Sequence, residues 1–200
     1  MQKKLTIAVI ALCVCMCCLI GVTVAWLTSV TSEVKNTFTV GDIQITLDEA
    51  NVTLYGVKDG DSRVMTNEYK LIPGHQYLKD PTVTLTAGNE KCYIFIQVRN
   101  DIAGIEKGTT IAQQIANNNW IALEEYDGVY YQVIETQNAD LKLPVFANFT
   151  IMDTADVASY VTNADKDNNI ITVKAYAIQY DSFENKVADA WTTVSAAAKG

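Results

Sequence analysis

The sequence predicts an all-β domain, built as a two-sheet antiparallel, jelly-roll-like sandwich with one or two short helices. Three observations support this prediction. Eight or nine short segments alternate apolar and polar residues with the period of two that is typical of strands. Turn-forming residues separate these segments at close intervals. Segments with helical spacing are few, so a two-sheet architecture of short strands is favoured.

The alternation begins at Trp26 and continues to Val40, with the apolar residues at even positions. After Gly41 the apolar residues move to odd positions, beginning with Ile43. A shift of one residue reverses the buried face of a strand, so Gly41 indicates a bulge or a turn between two strands. The further strand-like segments are 52–57, 82–87, 92–98, 120–126, 129–134, 143–151 and 170–180.

Turn signals separate several of these segments. Asp127-Gly128 predicts a hairpin between two tyrosine-rich segments, because both residues tolerate the positive φ of a type I′ turn. Gly88-Asn89 predicts a similar connection between two strands. Pro73-Gly74 and Asp80-Pro81 indicate turns before segment 82–87, and Asp59-Gly60-Asp61-Ser62 indicates an acidic turn.

Helical spacing occurs in two places. The first is a short segment, Ile111–Ala116, that precedes three asparagines. The second is an apolar stripe near the end of the chain, formed by Phe183, Val187, Ala190, Trp191 and Val194. Asp181 and Glu184 have the spacing of a capping box in front of this stripe.

The first 25 residues have the anatomy of a secretory signal peptide. Two lysines near the start precede an uncharged apolar segment that ends in small residues. Thr23 and Ala25 suit the −3 and −1 positions of a signal-peptidase site, so we predict cleavage before Trp26. The alternative is an uncleaved anchor, since residues 5–27 are long enough to span a bilayer as a helix. A cleaved chain would contact the membrane only through this peptide, before cleavage, and would then be secreted.

The composition restricts the partners of the chain. Its formal net charge is −8, and loss of Lys3 and Lys4 with the signal peptide makes it two units more negative. Because an acidic chain without a basic cluster repels phosphate, nucleic acid and anionic lipid headgroups are not expected as partners. Four of the five cysteines lie in the apolar signal segment, where Cys17 and Cys18 offer a weak alternative of lipidation. Only Cys92 remains after cleavage, so no intrachain disulfide is expected.

The sequence contains few residues or motifs suited to catalysis. We therefore predict that the protein is not an enzyme and has no catalytic residue and no cofactor. His75 is the only histidine, which excludes a two-histidine zinc motif, and no glycine-rich phosphate loop is present. Cys92 could act as a nucleophile with His75 as its base. Its position in an alternating segment instead predicts a small buried residue.

Two weaker binding patterns remain. Asp165, Asp167 and Asn169 place oxygen ligands at alternate positions, as in the first half of a calcium loop. Ile170 and Tyr176 stand where that loop needs glycine and glutamate, so a solvated acidic loop is favoured and the three residues are only weak calcium candidates.

Aromatic residues near the predicted hairpin form the second pattern. Tyr126, Tyr130 and Tyr131 could present a flat sugar-binding face. Cross-strand packing pairs are the commoner reason for tyrosines in neighbouring strands.

Two segments around the predicted cleavage site, Gly21–Thr28 and Asn36–Ile43, resemble the TasA/camelysin (CalY) family of Gram-positive biofilm-matrix fibre proteins. The turn Leu71–Gly74 followed by Lys79-Asp80 is similar to the family's pattern, as is the ending from Ala175 to Trp191. The match is close over about the first fifty residues and patchy thereafter.

The resemblance implies a jelly-roll subunit that is cut by a SipW-type signal peptidase and assembles with itself into extracellular fibres, with other matrix proteins as further partners. In such fibres the mature N-terminal segment is thought to complete a sheet of the next subunit. Here the candidate donor strand is the leader 26–37, with Trp26, Val30 and Val34 on one side, and the sandwich domain is 38–200. The alternative is that the leader is the first strand of its own subunit.

The expected function is therefore that of a secreted structural subunit of a biofilm matrix or cell surface. One alternative is a monomeric cell-surface binding module that uses the hairpin tyrosines for glycan. A secreted peptidase is the least favoured alternative, because no zinc-ligand motif is present.

Overall fold

The computed structural model describes residues 38–40, 43–155 and 171–198, all in one compact unit. In chain order the strands are β1 (Phe38–Val40), β2 (Ile45–Val52), β3 (Lys58–Val64), β4 (Gln76–Leu78), β5 (Thr82–Leu85), β6 (Cys92–Asn100), β7 (Ile121–Ala122), β8 (Val129–Ile134), β9 (Leu141–Pro144), β10 (Asn148–Thr150) and β11 (Ile171–Gln179). The helices are α1 (Ile111–Asn117) and α2 (Val187–Ala197), and 3-10 turns lie at Ala103–Ile105 and Asp181–Phe183.

The strands form two main sheets that pack against each other. The five-stranded sheet has the order β1-β11-β6-β8-β7, and the four-stranded sheet has the order β3-β2-β5-β9. Among the described strands every pairing is antiparallel except that β1 runs parallel to β11. A third, small sheet pairs β4 with β10. The predicted all-β, sandwich-like fold is confirmed, and the parallel edge pair and the small sheet are additions to it.

The alternation along β6 divides the interior into two hydrophobic cores. Ile94 and Ile96 belong to the main core between the two sheets, together with Leu85 of the four-stranded sheet. Tyr93 and Phe95 point to the opposite face, where a second core forms under α2. Because both faces of β6 are covered, it is a central strand.

Helix α2 covers the outer face of the five-stranded sheet with Ala190, Trp191 and Val194, which are all buried. The centroid of the Trp191 ring lies 5.5 Å from that of Phe95 and 5.1 Å from that of Tyr176. The apolar stripe in the sequence therefore marks the face by which α2 docks.

The predicted capping box of Asp181 and Glu184 is wrong. Asp181 begins a separate 3-10 turn, and Asn185 then has a positive φ of 58°. A left-handed residue cannot continue a right-handed helix, so α2 begins two residues later, without a side-chain cap. A capping box is present instead at α1, where Thr110 and Gln113 bond reciprocally to each other's backbone.

Segment 52–57 is not the predicted strand, because Val52 ends β2 and residues 53–57 form a turn after it. The amide of Gly56 donates to the carbonyl of Thr53 at 2.8 Å. Gly56 has a φ of +68°, and a Cβ at this position would lie 2.7 Å from the Cα of Tyr77, so the turn requires glycine here. Strand β3 follows and includes 59–62, which corrects the acidic turn predicted there.

Other connections also differ from the sequence prediction. Segment 120–126 contributes only the short β7, and segment 143–151 is divided between β9 and β10 in different sheets. Gly88-Asn89 joins β5 to β6 and therefore crosses between sheets. At Asp127-Gly128 only the glycine has a positive φ, so the turn is not of type I′.

Candidate functional site

The edge of the five-stranded sheet beside β11 is the candidate assembly site. β11 pairs along all nine of its residues with β6. On its other side β1 pairs only with Tyr176 to Ile178. Among the described residues, no strand pairs with Ile171 to Ala175 on that side. A strand edge of this kind presents backbone N–H and C=O groups to which a further strand can bond.

The side chains along this edge alternate in the way that a further strand would need. Ile171 and Val173 are half-buried and pack against the main core, and Ala175 is buried in it. Thr172 and Lys174 alternate with them and lie on the opposite face. Apolar side chains of an added strand would therefore extend the main core.

Other described edges carry features that discourage strand addition. Strand β3 is exposed and highly charged, and its Lys58 forms an ion pair with Asp61 at 2.7 Å. Strand β9 ends at Pro144, whose carbonyl oxygen accepts a hydrogen bond from Trp120 Nε1 at 2.9 Å. Charge, proline and a covering side chain are common ways to block an edge. Of the edges at β3, β9 and β11, the β11 edge is therefore the best suited to strand addition.

A buried polar cluster lies where β2 meets the segment between β4 and β5. Lys79 Nζ donates to Glu49 Oε2 at 2.6 Å, and these residues are 9% and 2% exposed. Asn67 Nδ2 donates to Glu49 Oε1 at 2.9 Å and to the carbonyl of Ala50 at 2.8 Å. Asn67 Oδ1 accepts from the amide of Val52 at 3.0 Å. Asn67 thus bonds the backbone on both sides of a register shift in β2, where the ladder to β3 is interrupted.

No motif in the sequence marks this cluster as a chemical unit. Lys79-Asp80 is notable there only for the family resemblance, and neither Glu49 nor Asn67 belongs to a predicted site. Glu49 and Lys79 are 30 positions apart in the chain, and no local pattern connects them. One signal was available, because Glu49 interrupts the apolar positions of a strand that is otherwise alternating.

The three tyrosines proposed for glycan binding do not share one face. Tyr130 pairs with Ile96 and packs against the main core. Tyr126 and Tyr131 pack against the core under α2, and the hydroxyl of Tyr126 lies 3.1 Å from Thr192 Oγ1. Packing on two faces is the arrangement of structural residues.

The cysteine and histidine occupy separate structural positions. Cys92 is fully buried in β6, and burial raises the pKa of its thiol to about 11. Its sulfur accepts a long hydrogen bond from Asn89 Nδ2 at 3.9 Å. His75 is half-buried at the start of β4, where its Nε2 lies 2.8 Å from the carbonyl oxygen of Tyr55. A thiol that stays protonated at neutral pH is a poor nucleophile.

A half-open cleft of about 680 Å³ lies near the end of β6. Its lining includes Gln97, Arg99, Tyr130 and Lys174. Arg99 is paired with Asp101 at 2.8 Å. Over the described ranges, no buried side-chain nitrogen or oxygen lacks a hydrogen-bond partner. The cleft therefore shows no polar group that requires a ligand.

Several predicted site residues lie outside the described residues. These are the cleavage-site residues Thr23, Ala25 and Trp26, the donor-strand residues Val30 and Val34, and the weak calcium candidates Asp165, Asp167 and Asn169. In the part of the chain that is described, no group of three or more histidine, cysteine, aspartate or glutamate side chains could hold a metal ion. Within the same ranges, no helix has the length and apolar character needed to cross a membrane.

Comparison of the chain with protein-family models, with curated proteins and with solved structures gave no match.

Proposed function

We propose that this chain is a secreted, non-enzymatic subunit of extracellular matrix fibres, which polymerises by donating its mature N-terminal strand to the next subunit. The observation that carries the proposal is the edge of β11 next to β1, where no described strand pairs with Ile171 to Ala175. The leader 26–37 immediately precedes β1 in the chain, and its alternating pattern suits a strand with one apolar face. The resemblance of the cleavage region to fibre-forming matrix proteins supports the same function.

Strand addition accounts for both affinity and specificity. Backbone hydrogen bonds to Ile171–Ala175 supply affinity, and alternate side chains of the leader that pack on one face of the sheet supply specificity. Val30 and Val34 are two alternate apolar side chains of the leader. In the register that β1 sets, Val34 would lie on the face of Thr172, which α2 covers further along β11, and not on the face of the main core. Cleavage before Trp26 frees the leader from the membrane, so assembly begins only after export.

The competing arrangement is one in which the leader pairs with β11 of its own subunit, and the register of β1 shows where the leader would then lie. Phe38 pairs in parallel with Tyr176, so a leader that extended β1 would run beside Ile171–Ala175 of its own chain. Val34 would then lie opposite Thr172. A polymer requires that the leader of a neighbouring subunit occupies this edge.

Electron microscopy tests polymerisation directly. Purified protein that begins at Trp26 is compared with the same protein that lacks residues 26–36. We expect filaments from the intact form only. Filaments from both forms would move the interface elsewhere, and no filaments from either form, at high concentration and with calcium, would favour the monomeric binding module.

Disulfide trapping distinguishes donation between subunits from pairing within one. The single variants Val34→Cys and Thr172→Cys are mixed and oxidised, and a disulfide between them can form only between two chains. Cys92 is buried and does not compete. We expect a covalent dimer. The double variant would give only an internally linked monomer if the leader stays within its own subunit. In the control, Val34→Cys is mixed with Ser62→Cys, which lies on the exposed and charged β3. This mixture should give no covalent dimer.

A further inference from the structure

The buried cluster of Glu49, Lys79 and Asn67 combines an amine, a carboxamide and one carboxylate that contacts both. Lys79 Nζ lies 2.6 Å from Glu49 Oε2, and Asn67 Nδ2 lies 2.9 Å from Glu49 Oε1. We propose that this cluster forms an intramolecular isopeptide bond between Lys79 Nζ and Asn67 Cγ, with Glu49 as the proton carrier. This proposal concerns the single subunit and does not depend on polymerisation.

Hydrogen bonds place the carboxylate of Glu49 and the amide of Val52 for their parts in the step. The carboxylate of Glu49 can remove a proton from Lys79 along their hydrogen bond and so produce the neutral amine that acts as a nucleophile. The amide of Val52 donates to Asn67 Oδ1 at 3.0 Å, where negative charge develops when the amine attacks Cγ. The leaving group, Nδ2, is hydrogen-bonded to the same carboxylate that carries the proton.

The reaction balances without an oxidant or a cofactor. Lys79 Nζ attacks Asn67 Cγ, the bond from Cγ to Nδ2 breaks, and Glu49 transfers the lysine proton to the departing nitrogen. Glu49 then takes the surplus proton from the new amide nitrogen and passes it to the ammonia. One ammonium ion leaves, and the carboxylate of Glu49 is regenerated.

The two charged groups of the cluster are shielded from water, and Asn67 is half-buried beside them. Glu49 and Lys79 are 2% and 9% exposed. The ring of Tyr69 covers the amine, with its centroid 5.6 Å from Lys79 Nζ, and its hydroxyl donates to the carbonyl of Leu78 at 3.1 Å. Burial, with a further contribution from the charge of Glu49, raises the pKa of Tyr69, so this phenol stays protonated and does not act as a base.

A covalent link here would serve a domain that has no disulfide. Among the described residues Cys92 is the free cysteine, and it is buried. Asn67 lies in the irregular segment between β3 and β4, whereas Lys79 follows β4. The link would close this segment into a ring and reduce the conformational freedom of the unfolded chain.

Mass spectrometry of the purified full chain after trypsin digestion tests the proposal. Trypsin cleaves after Arg63, Lys70 and Lys91, and it does not cleave after a lysine whose amine is blocked. We expect one branched species, in which peptide 64–70 is joined to peptide 71–91, with a mass lower by one ammonia than their sum. Separate, unmodified peptides 64–70 and 71–79 would overturn the proposal. An ammonia loss confined to an unbranched asparagine peptide would overturn it as well.

Two variants assign the roles of the side chains. Glu49→Gln should leave the peptides separate, because the proton carrier is lost, and circular dichroism checks that the variant is folded. Asn67→Asp preserves shape and should still form the bond, but with loss of one water in place of one ammonia. Asn67→Asp thus keeps the test independent of whether Glu49→Gln folds. The control Lys107→Met removes a lysine from an exposed ion pair with Asp153 and should leave the branched peptide unchanged.

Discussion

Replacement of Trp191 by alanine tests whether α2 is an integral layer of this domain. Trp191 is 4% exposed, and its ring contacts the rings of Phe95, Tyr176 and Tyr126 at centroid distances of 5.5, 5.1 and 6.3 Å. It is thus the central aromatic residue of the core between α2 and the five-stranded sheet.

The expected loss is large because the site is enclosed on all sides. Truncation of a buried tryptophan to alanine removes its transfer free energy and leaves a cavity, at a cost of about 3–5 kcal/mol. Domains of this size have a total stability of about 5–15 kcal/mol, so the variant should lose a substantial part of it. Helix α2 also lies against β1, so the loss should reach the assembly edge.

Urea unfolding followed by circular dichroism measures the change in the free energy of unfolding. Thr193→Ala is the matched control, since Thr193 is exposed on the same helix and its hydroxyl donates only to the carbonyl of Asp189. We expect the control to change stability by less than about 0.5 kcal/mol.

A loss below about 1 kcal/mol for Trp191→Ala would refute this reasoning, because it lies far below the cost of about 3–5 kcal/mol for truncation of an enclosed tryptophan. Hydrogen exchange would then show whether α2 opens on its own while β6 stays protected. That result would make α2 a loosely docked element rather than a layer of the cooperative unit.

Two further predictions concern the turn after β2 and a buried carboxyl. In thermal unfolding, Gly56→Ala should destabilise the domain by about 1–3 kcal/mol more than Gly60→Ala. Both glycines have a positive φ, but of the two only Gly56 has backbone atoms where a Cβ would lie. Equal losses would contradict the close approach to Tyr77. Burial raises the pKa of the Glu106 carboxyl above its ordinary 4.5. The folded state therefore binds the carboxyl proton more tightly than the unfolded state does. As a result, the contribution of Glu106 to stability falls as the pH rises from 4.5 through the raised pKa. Glu106→Gln should reduce that fall in a pH series of unfolding experiments, and an unchanged slope would show that other groups cause it.

Local patterns in the sequence predicted those elements whose burial is regular. Segment 92–98 alternates cleanly, and it lies in β6 at the centre of the five-stranded sheet. Segment 129–134 coincides with β8, and the stripe around Trp191 identifies the docking face of α2. In these elements the hydrophobic period and the final environment agree, so sequence alone was sufficient.

Local patterns were misleading where a long-range contact overrides the period. Segment 52–57 alternates like a strand, yet it turns because Gly56 packs directly against the backbone of Tyr77, which is distant in the chain. At Asp127-Gly128 the carbonyl of Gly128 accepts a hydrogen bond from the amide of Val98 at 2.7 Å. The conformation of this turn therefore depends on contact with β6 in addition to the residues of the turn.

By itself the sequence determined the all-β class, the positions of the central strands and the docking face of α2. Only the tertiary structure decided that β1 runs parallel to β11, that part of the β11 edge has no described partner, and that Glu49, Asn67 and Lys79 meet in one buried cluster. The physical reason is that hydrophobic period is a property of neighbouring residues, whereas strand pairing and polar clusters depend on which distant segments the packed core brings together.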